Sequence, residues 1–107
     1  MDEHRVLWTD TATADLEEIV EFIASDDPAN AVKVLDRLES RAEGLKRLPQ
    51  RGRVVPELRV MGVLMYRELV EGPWRIVYRC EERRVYVLAI LDSRRDLTGL
   101  LLERLTR

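Results

Sequence analysis

Two neighbouring apolar stretches between Trp74 and Leu91 constrain the fold of this chain more than any other part of the sequence. In the first, residues 74–80, successive side chains point to opposite faces of a strand. One face then carries Trp74, Ile76, Tyr78 and Cys80, and the other carries Arg75, Val77 and Arg79. The second, residues 85–91, is apolar throughout, which predicts a strand covered on both faces and placed inside the sheet. A charged turn, residues 81–84, joins the two into a core hairpin.

The remaining segments predict an α+β fold with the order β-α-α-β-β-β-α. Residues 4–8 are typical of a first strand, and apolar stripes over residues 10–23 and 28–48 predict two amphipathic helices capped by Thr9 or Asp10 and by Asp27. Residues 49–58 hold two prolines and a glycine and indicate a loop, in which Gly52 supplies a turn conformation. Residues 63–70 predict another strand, and a leucine-rich helix follows Asp92. We expect an antiparallel sheet with the helical hairpin packed on one face, a C-terminal helix, and the other face left free.

Length and composition favour one domain over residues 1–107. No apolar run approaches the ~20 residues of a membrane span, so we expect a cytoplasmic protein without a membrane partner. The lone Cys80 indicates core packing, and we expect neither a metal nor a cofactor. Net charge is −2, but twelve acidic and six basic residues precede Pro49, whereas eight acidic and twelve basic residues follow Leu48. This distribution indicates a localised basic surface rather than a protein dominated by nucleic-acid binding.

Several short segments in this order carry a family resemblance. They are the helical hairpin ending at Leu48-Pro49, then residues 52–57 (GRVVPE), 66–69 (YREL), 74–78 (WRIVY) and 87–97 (VLAILDSRRDL). From about Val6 to the C-terminus the chain resembles the RelE/ParE toxin superfamily of bacterial type II toxin–antitoxin modules, which act in growth inhibition and plasmid stabilisation. The resemblance implies a cognate protein antitoxin and a toxin–antitoxin hetero-oligomer.

One branch of the superfamily resembles RelE, a ribosome-dependent mRNA endoribonuclease that uses no metal. Such cleavage needs a base, an acid, and cations for the phosphate. The resemblance implies Arg75 and Arg95 as the cations, with Glu68 as the remaining candidate base. The chain departs from the RelE pattern at Tyr66 and Glu68, where lysines are frequent, and it lacks the expected C-terminal tyrosine.

The other branch resembles ParE, which inhibits DNA gyrase by binding and performs no chemistry. Residues 52–57 and 89–97 look closer to this branch, although Asp92 stands where a histidine is frequent. We therefore favour a ParE-like gyrase inhibitor, with an mRNA interferase as the alternative and a non-toxic antitoxin-binding module as a third hypothesis. Whether the protein is an enzyme stays open.

Arginines are the candidate residues for binding the target or the antitoxin. They are Arg67, Arg75, Arg79, Arg94 and Arg95. If the first three project from neighbouring strands onto a free sheet face, they form a cationic patch there. Alternatively, each pairs with a nearby glutamate across the strands.

Overall fold

The computed structural model describes residues 3–94 and 97–105. Its elements, in chain order, are β1 (Arg5–Trp8), α1 (Asp10–Ala24), α2 (Pro28–Glu43), a 3₁₀ turn (Gly44–Lys46), β2 (Arg53–Val54), α3 (Pro56–Arg59), β3 (Tyr66–Glu71), β4 (Trp74–Glu81), β5 (Arg84–Asp92) and α4 (Leu97–Leu105). The predicted α+β class and its order of major elements are confirmed. None of the helices described is both long enough and apolar enough to cross a bilayer.

The sheet has the strand order β1-β5-β4-β3-β2. Strand β1 runs parallel to β5, and the other neighbours are antiparallel. Strand β5 lies between β1 and β4, which confirms the prediction from its uninterrupted apolar sequence. The register between β4 and β5 shifts once. Val77 lies opposite Ala89 and Tyr78 opposite Val87, so Leu88 is an extra residue in β5.

The helical hairpin formed by α1 and α2 covers one face of the sheet. The Thr9 hydroxyl accepts a hydrogen bond from the Ala12 amide, and the Asp27 carboxylate accepts one from the Asn30 amide, so both predicted caps are confirmed. The hairpin packs on the alternating apolar side chains of the core strands. The resulting first core contains Leu16, Val34, Leu38, Leu45, Leu69, Ile76, Tyr78, Val85, Val87 and Ile90. Each large side chain contributes about 1.5–3 kcal/mol of burial free energy.

The opposite face of the sheet carries a second, smaller core. Helices α3 and α4 bring Val55, Leu58 and Leu101 against Val77, Ala89 and Leu91, all at most 4% exposed. The expectation of a sheet face left free by the helices is therefore wrong. The physical reason is that Val77 and Leu91 make this face apolar in its middle, and the chain covers it.

Three boundaries also differ from the sequence-based expectation. The segment read as an unbroken loop contains β2 and α3, because Pro56 occupies the first turn of a short helix. The long helix ends at Glu43 and continues only as the 3₁₀ turn, rather than reaching Leu48. Strand β3 begins at Tyr66 and not at Val63, since residues 60–62 form a turn after α3.

Candidate functional site

The arginines predicted to share one surface lie on both faces of the sheet. Strand register places Arg67 opposite Tyr78, on the face of the helical hairpin. Side chains along β4 alternate between the two faces, so Arg75 and Arg79 lie on the other face of the sheet, together with Glu68. The single cationic patch is therefore wrong as a geometric prediction, and the alternative of a cross-strand ion pair is confirmed for Arg75, which binds Glu68. Whether any of these residues binds a partner stays a prediction.

Arg75 lies at the centre of a network of four charges, in which Arg75 and Glu68 are buried. Its Nε donates to Glu68 Oε1 at 2.6 Å, and its Nη1 and Nη2 donate to the two Glu57 oxygens, each at 2.6 Å. Arg53 completes the network, with Nε 2.7 Å from Glu68 Oε2. The Glu68 side chain is fully buried, and that of Arg75 is 7% exposed. The network joins α3 to β2, β3 and β4.

The charges in this network stabilise one another. Hydrogen bonds from Arg75 are the largest influence on Glu57 and hold the pKa of its carboxyl below the ordinary range. The hydrogen bonds from Arg75 to Glu57, and to a smaller extent those to Glu68, raise the pKa of Arg75. Both oxygens of Glu68 already accept hydrogen bonds from guanidinium groups, so this carboxylate has no exposed atom to offer a substrate. The arrangement is that of a structural clamp.

A second set of polar contacts surrounds Tyr78 on the hairpin face. The Tyr78 hydroxyl donates to the Pro49 carbonyl and accepts from the Gly52 amide, both at 2.9 Å. Arg67 donates to the Gly52 carbonyl at 2.8 Å. Burial is the main cause that raises the pKa values of Tyr78 and Cys80 above their ordinary range. These contacts fasten the loop before β2 to the sheet, and Tyr78 is a core residue.

Two of the predicted arginines reach solvent. Arg79 is 37% exposed and pairs with Glu81, and Arg94 is 77% exposed and pairs with Asp92, each at 2.7 Å. Exposed pairs of this kind exchange readily for contacts with a partner because they add little stability. Arg95 lies outside the described residues.

An open groove of about 420 Å³ runs between α1, the end of the core hairpin and α4. Its apolar lining includes Ile19, Phe22, Trp74 and Leu100. At its edge, Arg104 makes two hydrogen bonds to Asp15, at 2.9 and 3.0 Å. A groove with apolar walls and charged edges fits an amphipathic segment of another protein.

Sequence reasoning did not identify Glu57, Arg53 or the Asp15–Arg104 pair. Glu57 and Arg75 are 18 positions apart, and Asp15 and Arg104 are 89 apart. Helical and strand spacings relate only near neighbours along the chain. Within the described residues, no group of three His, Cys, Asp or Glu side chains is placed to hold a metal ion.

The chain is similar to known proteins in both sequence and structure. Residues 6–97 match the family model described as "ParE toxin of type II toxin-antitoxin system, parDE". Toxin ParE3 of Caulobacter vibrioides is 33% identical over 103 residues, which cover 89% of this chain and 92% of that protein.

Two solved structures share the fold. One is described as a chromosomal ParDE TA system from P. aeruginosa, with a TM-score of 0.72 and 21% identity over 84% of this chain and 96% of that one. The other is the toxin–antitoxin complex RelBE2 from Mycobacterium tuberculosis, with a TM-score of 0.61 and 21% identity over 84% and 98% of the two chains. At these identities the structural likeness concerns the fold alone.

Proposed function

This chain belongs to the ParE toxin family of type II toxin–antitoxin systems, and from that premise we propose that it acts by docking on DNA gyrase and performs no chemistry on RNA. The charge network of Arg75, Glu68, Glu57 and Arg53, in which Arg75 and Glu68 are buried, is the observation that carries this proposal. In this network the side chains of Arg75 and Glu68, the two strand residues that a nuclease would need at its substrate, are already engaged in ion pairs.

A general base in RNA cleavage must come within about 2.6–3.2 Å of the 2′-hydroxyl, directly or through one water. The Glu68 side chain is fully buried between two arginines, so reaching a ribose would require breaking both ion pairs. Removing one partner from a buried pair costs about 3–5 kcal/mol. Inhibition by docking requires no such rearrangement, and this difference favours gyrase over messenger RNA as the target.

We also propose that a cognate antitoxin neutralises this protein by binding it directly. Both structural neighbours are described as toxin–antitoxin assemblies. In this chain the groove between α1 and α4 offers an apolar surface for one segment of the antitoxin. The exposed Arg94 lies at the same groove and is placed to contact a carboxylate of that segment or of the target.

The test combines two assays on the purified protein. We expect it to block supercoiling of relaxed plasmid by purified gyrase and to leave messenger RNA on programmed ribosomes intact. Cleavage of ribosome-bound message with enzymatic turnover would overturn the proposal in favour of the mRNA interferase. Absence of growth arrest when the protein is expressed alone would favour a non-toxic antitoxin-binding module.

Charge reversal at the exposed arginines provides a second arm of the same experiment. Arg94→Glu should weaken binding to the protein that contacts Arg94, either the antitoxin or gyrase. Because exposed charges act mainly on the association rate and are screened by salt, the effect should shrink at high salt. Arg47→Glu is the matched control, since Arg47 is 81% exposed and lies at the end of the 3₁₀ turn, outside the lining of the groove.

A further inference from the structure

A run of six residues without a single polar side chain links α3 to β3. Its sequence is Val60-Met61-Gly62-Val63-Leu64-Met65, and we call it the apolar loop. Val60 is 88% exposed, Met61 52%, Leu64 60% and Met65 58%. Neither core of the protein uses these four side chains. Contiguous exposed apolar residues of this kind typically mark an interaction surface.

The apolar loop has a defined conformation. The amides of Met61 and Val63 donate to the Leu58 carbonyl, at 3.0 and 2.9 Å, and the Gly62 amide donates to the Arg59 carbonyl at 2.9 Å. Val63 packs against the second core and anchors the middle of the loop. Its exposed side chains are thus presented on a backbone fixed before binding, which lowers the conformational entropy lost on association. The two methionines add side chains that adapt to an irregular partner surface.

The charges around the apolar loop indicate what it contacts. On the sheet face that carries α3, the arginines close to the loop are Arg53 and Arg59, and the one carboxylate between them in the sequence, Glu57, pairs with Arg75. Arg59 directly precedes the loop and is exposed, and the Arg53 side chain is 60% exposed although it pairs with Glu68. Two copies of this surface would bring like charges together, which disfavours self-association. A partner with an apolar pocket bordered by carboxylates would be complementary.

We propose that the apolar loop is a contact surface for the toxin's protein target, inserting Val60 and Met61 into an apolar pocket bordered by acidic side chains. This inference rests on the proposed function, because it assigns a surface to the docking event. The loop extends from α3, so the charge network that fixes α3 on the sheet also positions the docking surface.

The test is the substitution Val60→Asp, compared with Val32→Asp. Val32 is 58% exposed on α2, outside the apolar loop, so it controls for the placement of a carboxylate on an exposed valine. We expect Val60→Asp to weaken binding to purified gyrase, and its inhibition, at least about tenfold, because apolar anchors in a pocket dominate binding energy. Thermal unfolding should be the same for both variants and the wild type.

Growth arrest separates a failure of this inference from a failure of the proposed function. If the wild type inhibits gyrase and Val60→Asp inhibits it equally, the apolar loop is not the contact surface, although gyrase remains the target. If the wild type arrests growth without inhibiting gyrase and Val60→Asp does not arrest growth, the loop is supported and gyrase is excluded. The wild type could instead self-associate or bind anionic vesicles through the loop. If Val60→Asp abolished either of these interactions while growth arrest persisted, the inference would also be overturned.

Discussion

Gly52 lies where the loop before β2 passes directly over the sheet. A Cβ atom added there would be 2.5 Å from the Glu68 carbonyl oxygen and 2.6 Å from the Tyr78 hydroxyl oxygen. The backbone of Gly52 is not in the left-handed region, since among the described glycines only Gly62 and Gly72 have positive φ. Close approach, rather than a special turn conformation, therefore requires glycine at this position, and the sequence-based explanation was wrong.

Gly52→Ala should destabilise the protein by about 1–3 kcal/mol, because the backbone of β3 must move to admit one methyl group. Urea denaturation followed by circular dichroism measures this difference. Gly99→Ala is the control: Gly99 lies in α4 with no atom within 4 Å of an added Cβ, and helix propensity predicts a gain of about 0.5–1 kcal/mol. Equal stability of Gly52→Ala and the wild type would contradict the tight packing.

Sequence reasoning identified single side chains well where their spacing was regular. Trp74, Ile76 and Tyr78 alternate along β4 and contribute to the first core, as expected. It offered the cross-strand pairing of Arg75 with Glu68 only as an alternative, and it missed their burial, which depends on a partner from α3 that no short-range pattern reveals. Charged side chains are usually exposed, so a buried charge network is the case that a composition-based argument misses.

Helix α3 has only four residues, and the ion pairs of Glu57 hold it on the sheet together with Leu58. Such a short helix has no stability of its own. Apolar periodicity requires at least two turns to be visible, which explains why residues 56–59 were read as a loop. Strand β5 shows another limit of sequence patterns. Because it is apolar at every position, its sequence has no alternation, and the extra residue Leu88 could not be located from it.

Stability should depend on pH through Glu57. Arg75 lowers the pKa of Glu57 in the folded state below the unfolded value of about 4.3–4.5. The stabilisation is therefore fully present above pH ~4.5 and is lost as pH falls through the lower folded pKa. Glu57→Gln should cost about 1–3 kcal/mol at neutral pH, and the difference from the wild type should shrink at pH 3.

Chemical denaturation at pH 7 and pH 3 measures this dependence. Glu81→Gln is the control, because Glu81 pairs with Arg79 at the surface, where its side chain is 60% exposed, and its substitution should change little at either pH. A wild-type minus Glu57→Gln difference that stayed constant across this range would show that the carboxylate charge does not stabilise α3.

The two faces of the sheet give this molecule unequal layers. Helices α1 and α2 cover one face with most of the large buried side chains, whereas α3 and α4 bury only a few on the other. The smaller layer also carries the apolar loop and one wall of the groove. Regions with fewer buried apolar contacts open at lower free energy than the core strands. We therefore expect the wall of the groove formed by α4 to lie in the part of the fold that opens most easily.

Helix α4 should open independently of the core hairpin, and Arg104→Ala should make that opening easier. Helix α4 is held by Leu101 and by the Arg104–Asp15 pair, in which Asp15 also accepts from the Ile90 amide. Loss of a two-bond contact to a nearly buried carboxylate should speed hydrogen exchange in α4 by roughly 10- to 100-fold. Amides of β4 and β5, which exchange through global unfolding, should be better protected than those of α4 in the wild type, and should speed up by the same factor because the contact is lost in both openings.

Native-state hydrogen exchange followed by mass spectrometry distinguishes the two classes of amide. Arg37→Ala serves as the control, because the Arg37–Glu71 pair lies at the surface with Arg37 54% exposed, and neither class should change. If the amides of α4 and of β4–β5 already exchanged with the same opening free energy in the wild type, the fold would open as one cooperative unit. The groove between α1 and α4 would then be rigid, and a partner segment could enter it only without displacing α4.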